Sequence, residues 1–303
     1  MKRTEAFEMY QPSSLKEASL LVKEKGPGGR FLAGGTDLVI AMKEKGLVPK
    51  YVVDLKRLPG LSGIRENSDG SITIGALTTM REIEISPLLT KKYPFLCQSA
   101  AEVGSIQIRN RATIGGNMSN ATPSADVAPS LIALQATAKI ASARSERSVA
   151  IEEFFRGPGL NTMDSDEILT EITIPKTSPR LVGDYIKFSP REMMDLAYVG
   201  IAVAYTLGEK ENRCSQVRIV LGAVAPTPIR AKKAEAALEG QVLSEDLAEK
   251  VGAIAAEEAR PISDVRSSAN YRRAMVRAMT KRALLNAMVG PANSWVERRD
   301  RRY

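Results

Sequence analysis

Two glycine pairs sit in related frames, Ala33-Gly34-Gly35-Thr36-Asp37 and Thr113-Ile114-Gly115-Gly116-Asn117, each after a short apolar run. Adjacent glycines remove Cβ atoms, so the backbone can turn through positive φ and bring its N–H groups close to a ligand. Phosphate is the usual ligand of such segments. The first pair leads into Leu38 and Val39 with helical character, and the second into a polar stretch ending at Pro123-Ser124-Ala125-Asp126. One diphosphate held between the two would use both. The plain alternative is a pair of ordinary Gly-Gly turns. Neither the G-x-G-x-x-G fingerprint nor a P-loop lysine accompanies these glycines, so a nucleotide held here sits in some other cradle.

What is missing narrows the chemistry further. The chain has no histidine, and its two cysteines, Cys97 and Cys214, are far apart. Histidine-based triads and Cys₄ iron–sulfur ligation are therefore excluded, and two buried free thiols are expected. Any redox activity has to come from a bound organic cofactor. No apolar run approaches the roughly 18 to 20 residues of a membrane span, and Met1-Lys2-Arg3-Thr4-Glu5 precedes no secretory h-region, which is the composition of a cytoplasmic protein.

The net charge is +8, with basic residues gathered late at Arg272, Arg273, Arg277, Lys281 and Arg282, then Arg298, Arg299, Arg301 and Arg302. With 5 % aromatics and no nucleic-acid motif, this pattern fits a solvated helix face or an acidic partner rather than nucleic acid.

The elements that would position the glycine pairs are mixed α and β. Ser14-Leu15-Lys16-Glu17 reads as a capping box opening a helix that runs to Gly26. Arg30–Ala33 reads as a strand, 37–45 as a helix stopped by Gly46, and 51–55 as a second strand, which places the first glycine pair at the turn of a β-loop-α-β unit. Ser71–Ala76 alternates as a strand, Thr79–Glu82 is another capping box, and 130–141 reads as a helix or turn followed by a strand. Glu171–Pro175 closes this region, and Lys176-Thr177-Ser178-Pro179 is the best linker. Beyond it, 185–188, 199–205 and 217–221 read as strands and three helical stretches follow. Strands and helices in blocks argue for α+β.

The glycine segments, together with Gln107-Ile108-Arg109-Asn110, Pro123–Asp126, Phe154–Gly159, Glu167–Ile172 and Tyr271-Arg272-Arg273, resemble the FAD-binding medium subunit of the molybdenum hydroxylases, the group of xanthine and carbon monoxide dehydrogenases. The resemblance covers nearly the whole chain. It implies a two-part FAD-binding domain of the PCMH type at 1–177, with subdomains at about 1–56 and 57–177, a C-terminal CO-dehydrogenase-flavoprotein-like domain at 178–290 with a three-stranded antiparallel sheet, and a basic tail at 291–303.

By the same resemblance, Phe31, Leu32, Ala33, Gly34, Gly35, Thr36, Asp37 and Leu38 form the first FAD loop, whose N–H groups hold the diphosphate. Thr113, Ile114, Gly115, Gly116 and Asn117 form the second, with Asn120 offering a further donor. Asp126 lies on the sugar hydroxyls, Val103 and Leu169 are apolar walls of the isoalloxazine, and Lys187 meets its pyrimidine edge. No catalytic or metal-binding residue is implied. The subunit would take electrons from [2Fe–2S] clusters of a small partner, beside a large molybdopterin-binding subunit, and pass them through FAD to NAD or another acceptor. Thr36-Asp37, where carbon monoxide dehydrogenases carry a histidine-serine pair, leans toward the xanthine dehydrogenase-like branch. The alternative is a stand-alone FAD-dependent oxidoreductase of the same architecture.

Overall fold

The structure, a computed structural model, describes residues 5–191, 193–209 and 212–289; the basic tail at 291–303 lies outside them. The chain opens with β1 (Glu8–Tyr10), α1 (Leu15–Lys25), β2 (Gly29–Leu32), α2 (Leu38–Glu44) and β3 (Tyr51–Asp54). These form a three-stranded parallel sheet in the order β1-β3-β2. The β2-α2-β3 unit is the one expected from the sequence, whereas β1 was not foreseen.

Ser14 caps α1 by accepting from Glu17 N at 3.2 Å, and Gly26 ends it at φ +71. The expected capping box is displaced by one residue, because the Glu17 carboxylate reaches the N–H and hydroxyl of Ser13.

The second region contains β4 (Ile64–Glu66) and β5 (Ile72–Gly75), then α3 (Met80–Glu84), α4 (Pro87–Lys92), α5 (Pro94–Ala101), α6 (Ile106–Arg109), α7 (Ile114–Asn120) and α8 (Val127–Ala133). After these helices come β6 (Thr137–Ala141), β7 (Glu146–Ala150), α9 (Ile151–Phe154), β8 (Phe155–Gly157), β9 (Leu160–Asn161) and β10 (Ile168–Ile174). An antiparallel sheet in the order β4-β5-β10-β6-β7 carries the helices on one side. Thr79 and Glu82 make the full reciprocal capping box on α3.

The third region is β11 (Leu181–Phe188), β12 (Val199–Leu207), β13 (Cys214–Gly222), β14 (Ile229–Arg230), α10 (Lys232–Leu238), α11 (Glu245–Glu258) and α12 (Ala269–Val289). The three expected strands are joined by a fourth, two residues long, at the edge next to β13. One face of this sheet packs on its own helices. From the other, Tyr185, Ala202, Ala204 and Val220 enter the core built around α5 and α8. With both faces covered, the central strand β12 reads as a nearly continuous apolar run. This packing brings β11, which carries Lys187, against the segment that carries Asp126.

Candidate functional site

The first glycine turn leaves β2 and enters α2. Only Gly35 of the pair has positive φ, at +80. Gly34 is needed for a different reason. A Cβ there would collide with the Arg111 carbonyl and lie 3.1 Å from Ala112 Cα, so the turn rests directly on the backbone that leads to the second glycine pair. The N–H groups of Gly34, Gly35, Thr36 and Asp37 donate to no acceptor among the described residues. Four successive unpartnered donors before a helix make an anion cradle. Phe31 and Ala33 pack half-buried against the core of the first region, and Leu38 begins α2.

The second pair is not a loop. Thr113 is the N-cap of α7, its hydroxyl accepting from Gly116 N at 3.1 Å, and both glycines lie in the first turn with ordinary helical φ. Their N–H groups are spent inside the chain: Ile114 N donates to Thr78 O and Gly115 N to Ala76 O. Gly115 is required for close packing, since a Cβ would lie 2.7 Å from the carbonyl oxygen and Cβ of Ala76. The second segment, expected as a loop, is thus the capped first turn of a helix facing the first glycine turn. A Cβ on Gly116 would lie 3.9 Å from that of Ala33, so the two segments do face each other.

One residue further on, Asn117 Oδ1 is buried with no hydrogen-bond partner. An orphaned buried acceptor of this kind calls for a donor from a ligand. Asn120, at the other end of α7, is exposed and its amide donates to Thr122 Oγ1 at 2.9 Å.

Asp126 and Lys187 meet although 61 residues apart: Lys187 Nζ donates to Asp126 Oδ2 at 2.9 Å and to the Glu102 carbonyl at 2.9 Å. Tyr185 donates to Asp126 Oδ1 at 2.9 Å. Asp126 occupies the N-cap position of α8 but makes no side-chain cap, and Lys187 is 5 % exposed. Neither a helix cap nor a solvent-facing lysine describes them. Tyr185 is the member that the sequence reading missed.

Burial pushes the Asp126 carboxyl up from 3.8 to about 6, against the pull of Lys187 and Tyr185. Because the folded-state value is the higher one, the folded chain holds this proton more tightly than the unfolded chain. Asp126 therefore contributes stability that is present below about 3.8 and lost as pH rises through about 6. The difference in apoprotein stability between wild type and Asp126→Asn is expected to decline across that window and level off above it. A pH-independent difference in melting temperature would refute the assignment.

Val103 sits half-buried in the turn after α5, and Leu169 is a core residue at 5 % exposure on β10. The expected solvated arginine face on α12 is partly corrected. Arg272 is buried, paired with Asp264 at 2.8 Å and stacked over Tyr198, while Arg277 and Lys281 pair with Glu249 on α11. An open groove of about 440 Å³ on α12, lined by Arg277, Lys281, Arg282, Leu285 and others, shares no residue with the glycine site. Cys97 and Cys214 are both buried and neither is in a disulfide.

Two family models match: the FAD binding domain in molybdopterin dehydrogenase over residues 5–177 and the CO dehydrogenase flavoprotein C-terminal domain over 184–287. The chain is 32 % identical to the putative xanthine dehydrogenase FAD-binding subunit of Escherichia coli K12, over 92 % of this chain and 95 % of that one. It is also 32 % identical to the carbon monoxide dehydrogenase medium chain of Hydrogenophaga pseudoflava, over 92 % and 96 %.

Among solved structures, carbon monoxide dehydrogenase from Hydrogenophaga pseudoflava superposes with a TM-score of 0.90, covering 95 % of this chain and 99 % of that one at 32 % identity. Quinoline 2-oxidoreductase from Pseudomonas putida 86 gives 0.88, covering 94 % and 98 % at 29 % identity. The single backbone cradle, the orphaned Asn117 acceptor and these matches agree, and the chain belongs to the FAD-binding medium-subunit family of the molybdenum hydroxylases.

Proposed function

We propose that this chain carries electrons within a cytoplasmic molybdenum hydroxylase, taking them from the [2Fe–2S] clusters of a small subunit beside a large molybdopterin-binding subunit and delivering them to NAD or another acceptor. The observation that carries this reading is the run of four unpartnered N–H donors at Gly34–Asp37 facing the α7 segment with its orphaned acceptor. FAD, when bound, supplies the redox chemistry that a chain without histidine or clustered cysteines lacks.

The chain's own work is to bind and orient it. Gly34–Asp37 would neutralise the diphosphate with backbone dipoles, and Thr113 and Asn117 would supply side-chain contacts. Val103 and Leu169 would wall the ring, with Asp126 at the sugar hydroxyls and Lys187 at the pyrimidine edge. The cradle and α7 both belong to the segment up to residue 177, and β11 brings Lys187 to it from the segment that begins at 178. Relatives named as medium chains and FAD-binding subunits support the multi-subunit setting.

Without histidine or a cysteine near the cradle, flavin is held noncovalently: acid precipitation of the purified yellow chain should release all of it into the supernatant. The chain alone should show no turnover of purines, aldehydes or aromatic acids with a dye acceptor, and gain it when the large and small subunits are added. Flavin retained in the pellet would sink the first expectation. Substrate-dependent dye reduction by this chain alone would favour a stand-alone oxidoreductase instead.

A further inference from the structure

A second buried ion pair stands just before the backbone on which the first glycine turn rests, and its arginine also reaches the Val103 carbonyl. Arg109, at the end of α6, is 2 % exposed and donates from Nε to Glu84 Oε2 at 2.8 Å; Glu84 is 1 % exposed. Arg81 holds the other carboxylate oxygen, Nη1 to Oε1 at 2.9 Å. Arg109 Nη1 also donates to the Val103 carbonyl at 3.3 Å.

From Arg109 the chain runs through Arg111, whose carbonyl supports Gly34, to Ala112, whose carbonyl accepts from Met80 N at 2.8 Å. It continues to Thr113, which bridges to Thr79. Glu84 and Thr79 stand at the two ends of α3. One guanidinium is thus fixed to α3 and to the Val103 turn, two residues before the floor of the cradle.

Such a pair is a poor source of net stability, since desolvating both charges costs about as much as their attraction returns, and an apolar pair of similar volume often serves as well. What it supplies that an apolar pair does not is direction. The guanidinium fork has fixed donor geometry, so it sets the turn at Val103 and the 111–113 segment relative to α3. We propose that Arg109, oriented by Glu84, is a positioning residue for the cofactor, holding the Val103 wall and the floor of the Gly34–Asp37 cradle in register. This rests on the FAD reading above.

The test uses full-length apoprotein, with FAD titrated at a temperature where each variant is folded. Arg109→Lys keeps the charge but cannot reach Glu84 and the Val103 carbonyl at once; Glu84→Gln keeps the shape and loses the charge. Both should weaken FAD by about tenfold or more, the size of one lost charge-assisted hydrogen bond, and both should change the visible circular dichroism of bound flavin. Pure loss of stability would move neither readout in the folded variant, so unchanged FAD affinity and an unchanged flavin spectrum overturn the proposal.

Should the variants fail to fold, amide hydrogen exchange on the wild type decides. FAD should protect 103–113 together with 34–38, and protection confined to 34–38 overturns the proposal. A wild-type apoprotein that takes up no FAD would sink the cofactor assignment itself, an outcome distinct from either of these.

Discussion

Gly34→Val is expected to abolish FAD uptake while leaving the C-terminal sheet and helices folded. The obstacle to a side chain at Gly34 is backbone: the Arg111 carbonyl carbon would lie 2.7 Å from the new Cβ and Ala112 Cα 3.1 Å from it. A peptide group tied into the α6 turn cannot swing away as a flexible side chain would, so the loop must lift. With it move the four N–H donors of Gly34–Asp37. Losing even two hydrogen bonds to a charged diphosphate, at about 1.5–3 kcal/mol each, weakens binding by more than about a hundredfold.

Gly35→Val should act by another route, through the strain of φ +80 on a β-branched residue, about 1–3 kcal/mol. Its nearest neighbour is the Leu32 side chain, which can give way. Gly115→Ala should wedge α7 away from Ala76. The order of flavin loss on gel filtration, Gly34→Val ahead of Gly35→Val, separates the steric account from the strain account. Full flavin content in all three variants would mean that neither segment holds the cofactor.

The first cradle was legible because its elements announce themselves locally. A capped helix, a short strand, Gly-Gly and a stretch ended by Gly46 define α1, β2, the turn and α2 between residues 14 and 46. The second was misread as a loop. Ile114-Gly115-Gly116-Asn117 is a poor helix former, yet α7 forms there because Thr113 caps it and Ile114 and Met118 are buried. Tertiary packing overrides propensity, and Gly115 is the residue that lets it do so.

Positions that depend on distant partners were harder. Asp126 and Lys187 were each singled out, but nothing local indicates that they share a site with each other and with Tyr185. Arg272 reads as one of a row of basic residues on α12, and is buried where Asp264 and Tyr198, from connecting segments outside α12, meet it. Strands β1 and β14, of three and two residues, are too short to show a period and exist through their neighbours in the sheet.

Lys187→Met should cost the apoprotein about 3–5 kcal/mol, the usual penalty for stranding one partner of a buried ion pair. Asp126 is 8 % exposed overall and would keep only the Tyr185 hydroxyl. An exposed lysine of the same kind would cost no more than about 0.5 kcal/mol. The double variant Asp126→Asn with Lys187→Met removes both charges, so it should recover most of the loss, and the mutant cycle isolates the coupling. Chemical denaturation of the four apoproteins gives the free energies.

The same variant carries a pH signature. The coulombic attraction of Lys187 is the largest influence opposing the upward push of burial on Asp126, so without it the folded-state carboxyl rises further. By linkage, the window over which Asp126 loses its stabilising contribution then extends to higher pH. The penalty of Lys187→Met should therefore grow as pH increases past the wild-type value of about 6, and shrink in acid, where the carboxyl is neutral in both proteins. A penalty that is small and flat with pH would mean that Lys187 and Asp126 are solvated separately, and that the joint between α8 and β11 is held by apolar packing alone.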